Sequence, residues 1–192
     1  MSTKGTIRDS GLIDALEALN PAPFKGNVWR VVREGRDPCQ CSASGGRWDD
    51  SSFDVLYTSK ARDGAIAEMH FHLSRGQPVF PSQVRYCLHE LNVSLAHALH
   101  IPDLNALASI GLDTSRYGQV SYNERAQEYL KTQQIAEVAH FLDFDGIIVP
   151  NSRWKCSNVV IFCDRVAPSA LENVRDHGLI DWLSWQNSNS HK

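Results

Sequence analysis

The stretch SASGGRWDDSSFDVLYTSKARDGAIAEMHFHL, residues 42–73, decides how the rest of the chain is interpreted. It begins with a glycine pair before Arg47, continues into an apolar strand that ends near Tyr57, and enters a helix of small residues that carries Glu68. Guanidinium groups match phosphate oxygens and stay charged in a desolvated site. An arginine on a glycine turn, a tyrosine at a strand end and an acid in an apolar helix together predict a nucleotide pocket.

The composition predicts one globular domain. The chain has 192 residues, 42% of them hydrophobic, with 12 glycines and 8 prolines. This length suits one domain and is too short for two comfortable ones. The net charge is −3 with both signs spread along the chain, so the basic stripe that a nucleic-acid backbone requires is missing. We therefore expect no direct nucleic-acid partner.

The sequence lacks an apolar run long enough for a signal peptide or a membrane span. We therefore expect a cytoplasmic protein that does not cross a membrane. The cysteines are Cys39, Cys41, Cys87, Cys156 and Cys163, an odd number in which a close pair occurs only once. A disulfide framework does not fit this pattern, and we expect free thiols.

Two metal-site patterns are weak. The Cys39 and Cys41 pair has no second ligand pair at zinc spacing. In the segment EMHFHL, only Glu68 and His72 share a helix face, four residues apart, while His70 points elsewhere. We expect no metal.

The periodicity of apolar residues predicts a mixed α+β fold in which strands from both ends of the chain pair across the middle helices. Helices are predicted over residues 11–19 with Ser10 as N-cap, 62–73, from Pro102 to about Gly111, 123–142 and 171–174. Strands are predicted over residues 27–32, 53–58, within 80–91, 147–149 and 158–163. The polar loop 151–157 lies between two buried strands and is therefore expected at a sheet edge.

Each candidate residue also has an ordinary structural explanation. Arg30 lies inside an apolar strand, where a buried arginine needs an anion or a carboxylate; it and Arg47 could each form half of an ion pair. Tyr57 could satisfy one hydrogen bond at the sheet margin, and Glu68 could lie on a solvated helix face. We expect Trp48 in the core. Glycine motifs of hydrolases, kinases and dinucleotide-binding folds are missing from the sequence.

Taken in order, these pieces resemble the RES domain, a bacterial family. The resemblance covers about residues 28–162 and is carried by VWRVV, SGGRWDD, VLYTSKARDGAIAE, FDGIIVPNSRW and NVVIF. Gly-Gly-Arg-Trp, followed by Tyr-Thr-Ser and Ala-x-x-Glu, is its specific part. The resulting division is a lead-in over residues 1–27, the RES domain over residues 28–165 and a C-terminal extension of the same domain over residues 166–192.

The resemblance implies a single ADP-ribosyltransferase-like domain with a split, mixed β-sheet, flanking helices and a pocket for NAD. Members of the family include toxins that deplete NAD, and some do so by phosphorolysis. Inorganic phosphate is therefore a candidate co-substrate. Many are paired with a helix-turn-helix antitoxin. A homodimer is one assembly that such a protein could form.

The same resemblance assigns candidate roles to residues. Arg30 and Glu68 become catalytic candidates that also bind NAD, and Arg47 and Tyr57 become NAD-binding candidates. The family serine follows a proline directly, a position that Asn151 holds here, with Ser152 one residue later. Either the loop shifts register and Ser152 is the catalytic residue, or the amide of Asn151 replaces the hydroxyl. Both are candidates for NAD binding.

Three functions remain open. The first is an NAD phosphorylase or glycohydrolase that cleaves the nicotinamide–ribose bond as the toxin of a toxin–antitoxin pair. The second is a mono-ADP-ribosyltransferase that modifies a protein. The third is a catalytically silent domain that binds a partner through Trp182 and Trp185.

Overall fold

A computed structural model of the chain describes residues 8–74, 85–119 and 125–189, with the side chains of residues 125–128 excepted. These residues form a β-sheet with flanking helices, so the mixed α+β prediction is confirmed. Within the described ranges, no helix is long and apolar enough to cross a membrane.

The described strands form one six-stranded sheet. In chain order they are β1 (Ala22–Arg33), β2 (Val55–Ser59), β3 (Tyr86–His100), β4 (Gly146–Pro150), β5 (Ser157–Phe162) and β6 (Leu171–Leu179). Their order across the sheet is β1-β2-β5-β4-β3-β6, and β1 also pairs with β3. Strands β3 and β4 are parallel and the other pairs antiparallel, so the sheet is mixed. Strands β1 and β6, from opposite ends of the chain, both pair with β3 and not with each other.

Strands β1 and β2 meet at one position. Trp29 pairs with Ser59, and the described residues show no second pairing between these strands. Along its length β1 pairs with β3, whereas β2 pairs along its length with β5. The two strands therefore diverge and leave a cleft between them.

The α-helices flank this sheet. They are α1 (Ser10–Glu17), α2 (Arg62–Leu73), α3 (Leu104–Ser109), α4 (Arg125–Phe141) and α5 (Trp182–Asn189). The bounds of α2 match the prediction at both ends. The N-cap of α1 is Asp9 and not Ser10, because the Asp9 side chain accepts hydrogen bonds from the amides of Gly11 and Leu12. The first residues of the predicted 123–142 helix lie outside the described ranges.

Two predictions about strands and helices are wrong. The segment 171–174, predicted as a helix, is the start of β6, where Leu171 lies opposite Val93 of β3. Pairing with a neighbouring strand decides the conformation of so short a segment, and local periodicity does not reveal it. Strand β3 also runs on to His100, well beyond its predicted end. The beginning of the predicted 80–91 segment lies outside the described residues.

The core packs apolar side chains of the helices against the sheet. Helices α1, α3 and α4 contribute Leu16, Leu107 and Ile135 to one cluster, which also contains Trp48 and Phe162. Trp48 is 1% exposed, so its prediction as a core residue is confirmed. A second cluster joins Val31 of β1 to Ile66 of α2 and Trp182 of α5.

Cys41 and Cys163 form a disulfide, so the expectation of free thiols is wrong for this pair. Ser42 pairs with Val55, and Val55 lies opposite Phe162. This register brings Cys41 beside Cys163, the residue that follows β5, although the two cysteines lie 122 positions apart in the chain. Cys39, Cys87 and Cys156 are free thiols.

We expect the Cys41→Ser variant to lose about 2–4 kcal/mol in free energy of unfolding, because a crosslink over a long loop restricts the unfolded chain. Urea unfolding under oxidising conditions measures this loss. Cys39→Ser is the matched control, since Cys39 is a nearby free thiol. The disulfide is contradicted if the denatured wild type titrates with five thiols instead of three.

Candidate functional site

A cavity of about 370 Å³ opens where β1 and β2 diverge, beside helix α2. Four predicted site residues line it: Arg30, Arg47, Tyr57 and Glu68. The structure therefore brings together side chains that lie far apart in the sequence. Further lining residues come from α2, α4, the loop before β5 and β5 itself, and they include Phe71, His72, Tyr129, Arg153 and Asn158.

The arginine turn is held by a buried carboxylate. Asp49 is fully buried, and its Oδ1 accepts a hydrogen bond from the Gly45 amide at 2.6 Å. Its Oδ2 accepts one from the Gly46 amide at 2.8 Å. Gly45 has a φ of 74°, a left-handed conformation that favours glycine. Asp49 therefore fixes the backbone that leads into Arg47.

Tyr57 holds the same turn from β2. Its hydroxyl donates to Asp49 Oδ2 at 2.9 Å and accepts from the Trp48 amide at 2.8 Å. Burial, together with the Asp49 carboxylate, raises the pKa of Tyr57 well above its usual range, so the phenol stays neutral and remains a donor. The hydroxyl is thus engaged by the turn, while the side chain borders the cavity.

Gly46 shows why a second glycine is needed. A Cβ at this position would lie 2.5 Å from the Tyr57 hydroxyl and 2.9 Å from Asp49 Oδ2. The space that glycine leaves is therefore filled by the protein's own phenol and carboxylate.

Arg47 lies between two aromatic rings. Its guanidinium carbon is 4.9 Å from the ring centre of Tyr117 and 5.1 Å from that of Tyr129. Such cation–π contacts hold a guanidinium in place without neutralising its charge. Its aromatic neighbours thus hold Arg47 at the border of the cavity.

Arg30 has a different environment. Side chains alternate along β1, so Arg30 points away from the face on which Trp29 and Val31 pack towards α2. Its Nη1 donates to the carbonyl oxygens of Pro38 at 2.7 Å and Gln40 at 3.0 Å. Backbone carbonyls therefore replace the anion or carboxylate that the sequence suggested.

Burial lowers the pKa of Arg30 to about 10, so its side chain is still charged at neutral pH. Its Nε and Nη2 make no hydrogen bond to the residues that the structure describes. Arg30 therefore stabilises the 38–40 loop, and it is also one of the residues that line the cavity. Its phosphate-binding role stays a prediction.

Glu68 is oriented through one oxygen. Its Oε1 accepts from the Ser152 hydroxyl at 3.1 Å, the Ser152 amide at 3.3 Å and the Asn158 side-chain amide at 3.5 Å. Among the described residues, every group that donates a hydrogen bond to Glu68 donates it to Oε1. The carboxylate is held from one side, and Oε2 is left for other contacts.

Ser152 and Asn151 have separate tasks. The Oδ1 of Asn151 accepts from the amides of Arg153 at 2.7 Å and Trp154 at 2.8 Å, and its Nδ2 donates to Asn158 at 2.8 Å. Asn151 therefore shapes the loop, while Ser152 contacts the acid. Which of the two takes the place of the family serine stays a prediction.

The histidines of α2 separate as the helix periodicity predicts. His72 borders the cavity with Glu68, whereas His70 approaches the rings of Trp182 and Trp185. No group of three or more metal-ligating side chains is found in the described ranges.

The C-terminal tryptophans pack on α2. Trp182 is 4% exposed, and the Trp185 indole donates to Asp63 of α2 at 3.0 Å. Their rings therefore pack within the domain, with Trp182 buried and Trp185 partly exposed.

Sequence reasoning missed three residues of this site: Asp49, Gln133 and Asn158. Asp49 follows the arginine turn directly, and a short acid close after two glycines is a signal for bonding to their amides. Gln133 donates to the carbonyl oxygens of Gly46 at 2.8 Å and Asp49 at 3.0 Å. Its distance along the chain leaves no local signal for this contact.

Comparison with known proteins identifies the family of this chain. The family model of the RES domain matches residues 27–183, and the chain belongs to this family. No protein of curated function matches the chain significantly.

A solved structure shares the fold. A chain of the crystal structure of the M. tuberculosis MbcT–MbcA toxin–antitoxin complex matches with a TM-score of 0.77 and 19% sequence identity. The match covers 95% of this chain and 98% of that chain. At this identity the likeness shows a common fold.

We expect Tyr57→Phe to lower the free energy of unfolding by about 1–3 kcal/mol, because it leaves the Trp48 amide without its acceptor and removes a donor from Asp49. Thermal and urea unfolding measure the loss. Tyr86→Phe is the matched control, since the Tyr86 hydroxyl makes no hydrogen bond to any described residue. Equal stability of the two variants would contradict the role assigned to the Tyr57 hydroxyl.

Proposed function

We propose that the protein degrades NAD by cleaving its nicotinamide–ribose bond. The observation that supports this best is the placement of Glu68, anchored by Ser152, in the same cavity as Arg47. A carboxylate and a guanidinium in one cleft match the two electrostatic requirements of this reaction, which are binding of the diphosphate and stabilisation of the reacting ribose.

The first requirement is binding of the diphosphate. NAD carries two negative charges there, and guanidinium groups bind such oxygens with paired hydrogen bonds. Arg47 supplies one charge within the cavity, and Arg30 supplies a second at its edge. Attraction between these charges is strongest where water is excluded.

The second requirement is stabilisation of the reacting ribose. When the bond between nicotinamide nitrogen and ribose C1′ breaks, its electron pair leaves with the nicotinamide, which becomes neutral. The ribose then carries positive charge shared between C1′ and its ring oxygen. A carboxylate fixed beforehand stabilises such charge without reorganising. Glu68 takes this role, with Ser152 and Asn158 holding its orientation.

The acceptor of C1′ is phosphate or water. Phosphate would bring a second anion close to the diphosphate, and repulsion between them has to be offset by positive charge. Arg47, Arg30 and Arg153 all border the cavity. This concentration of guanidinium groups supports phosphorolysis over simple hydrolysis as the reaction proposed.

The biological role proposed is that of a toxin with a helix-turn-helix antitoxin. RES-family membership and the fold shared with a toxin–antitoxin complex support it. We place the activity in the cytoplasm, where NAD is available. Reducing thiols there would act on the Cys41–Cys163 disulfide.

The test is incubation of the purified protein with NAD, with and without phosphate, and measurement of nicotinamide and nucleotide products. We expect wild type to release nicotinamide and, with phosphate, a phosphorylated ADP-ribose. Glu68→Gln keeps the side chain's shape and removes its charge, so kcat/KM should fall by about 100- to 1000-fold.

Glu17→Gln, a change at an exposed position of α1, is the control and should match wild type. Label from adenine-labelled NAD that appears on protein would instead identify an ADP-ribosyltransferase. Folded wild type that leaves NAD intact at high enzyme concentration would contradict the proposed activity.

A further inference from the structure

The turn that carries Arg47 forms hydrogen bonds on two sides. Asp49 and Tyr57 bind its amide groups, as described above. On the other side, helix α4 presents Gln133, whose Nε2 donates to the carbonyl oxygens of Gly46 at 2.8 Å and Asp49 at 3.0 Å. Both hydrogens of one amide nitrogen are thus directed at the two carbonyls that bracket Arg47.

We infer that Gln133 is a positioning residue: it holds the turn so that the Arg47 guanidinium can bind the diphosphate of the substrate. This inference rests on the proposed function. Gln133 acts through the turn and does not line the cavity. Gln133 thereby fixes the position of the Arg47 guanidinium relative to Glu68.

Helix α4 supports the same guanidinium with a second side chain. Tyr129 lies four residues before Gln133 and therefore shares its helix face. The Tyr129 ring centre is 5.1 Å from the Arg47 guanidinium carbon. One face of α4 thus contacts the backbone on both sides of Arg47 and the side chain of Arg47 itself.

The turn depends on such contacts because it has no strand neighbour. Gly45 adopts a left-handed conformation, and no described strand or helix includes residues 43–49. Loss of Gln133 leaves the carbonyls of Gly46 and Asp49 without this donor. The turn can then shift, and the Arg47 guanidinium moves with it away from the position that binds the diphosphate.

A positioning role and a merely structural role differ in what they change. If Gln133 only stabilises the fold, its loss lowers the melting temperature and leaves the remaining folded enzyme with its normal affinity. If it positions Arg47, its loss weakens diphosphate binding in the folded enzyme. Because Arg47 would bind the diphosphate equally in the ground state and the transition state, KM should rise while kcat holds.

The experiment compares Gln133→Met, which removes the donor at similar volume, with Gln134→Met at the exposed neighbouring position of the same helix. We expect Gln133→Met to raise KM for NAD about tenfold with kcat within about twofold of wild type, and Gln134→Met to match wild type. In an Arg47→Gln background, Gln133→Met should have no further effect on KM, because coupled residues are not additive.

Binding of inorganic pyrophosphate, measured by calorimetry, separates this inference from the proposed function. It should weaken about tenfold in Gln133→Met and remain normal in Gln134→Met, whether or not NAD is cleaved. Unchanged pyrophosphate binding, or equal effects of Gln133→Met with and without Arg47, overturns the positioning role. Failure of wild type to cleave NAD, with pyrophosphate binding weakened as stated, contradicts the proposed function alone.

Discussion

The hydrogen bonds of the buried Asp49 carboxylate are the interactions on which the rest of the site depends. One oxygen holds the Gly45 amide, and the other holds the Gly46 amide and the Tyr57 hydroxyl. A fully buried carboxylate is tolerated only when donors replace the water it has lost. The same bonds that satisfy it join an irregular turn to strand β2. Without these hydrogen bonds, the segment that carries Arg47 would lose its main contacts to the sheet, because it belongs to no described strand or helix.

The sheet supplies the space that this turn encloses. Strands β1 and β2 part after the Trp29–Ser59 pair, and α2 packs along the side where they separate. Glu68 therefore enters the cleft from the helix, Tyr57 from β2, and Arg47 from the turn. The Ser152 loop approaches from the end of β4 and fixes the carboxylate. Each chemical group thus comes from a different element, and their convergence is a property of the fold.

The sequence was enough to predict the parts that local signals specify. The bounds of α2 follow from its small residues and periodicity, and the grouping of Arg47, Tyr57 and Glu68 follows from the motif that carries the family resemblance. Features set by contacts distant in sequence could not be predicted. The Cys41–Cys163 disulfide depends on strand register, and the β6 strand depends on the neighbouring edge of β3. Likewise, the role of Gly46 became clear only once the Tyr57 hydroxyl was located beside it.

We propose that one cleft binds a pyridine dinucleotide between Arg47 and Glu68. A crystal structure of the protein with carba-NAD, in which the reactive bond cannot break in the normal way, tests it most directly. We expect the diphosphate within hydrogen-bond distance of the Arg47 guanidinium and the nicotinamide-bearing ring beside Glu68 Oε2. Carba-NAD bound elsewhere on the domain, or in this cleft with its diphosphate turned away from Arg47, would contradict it.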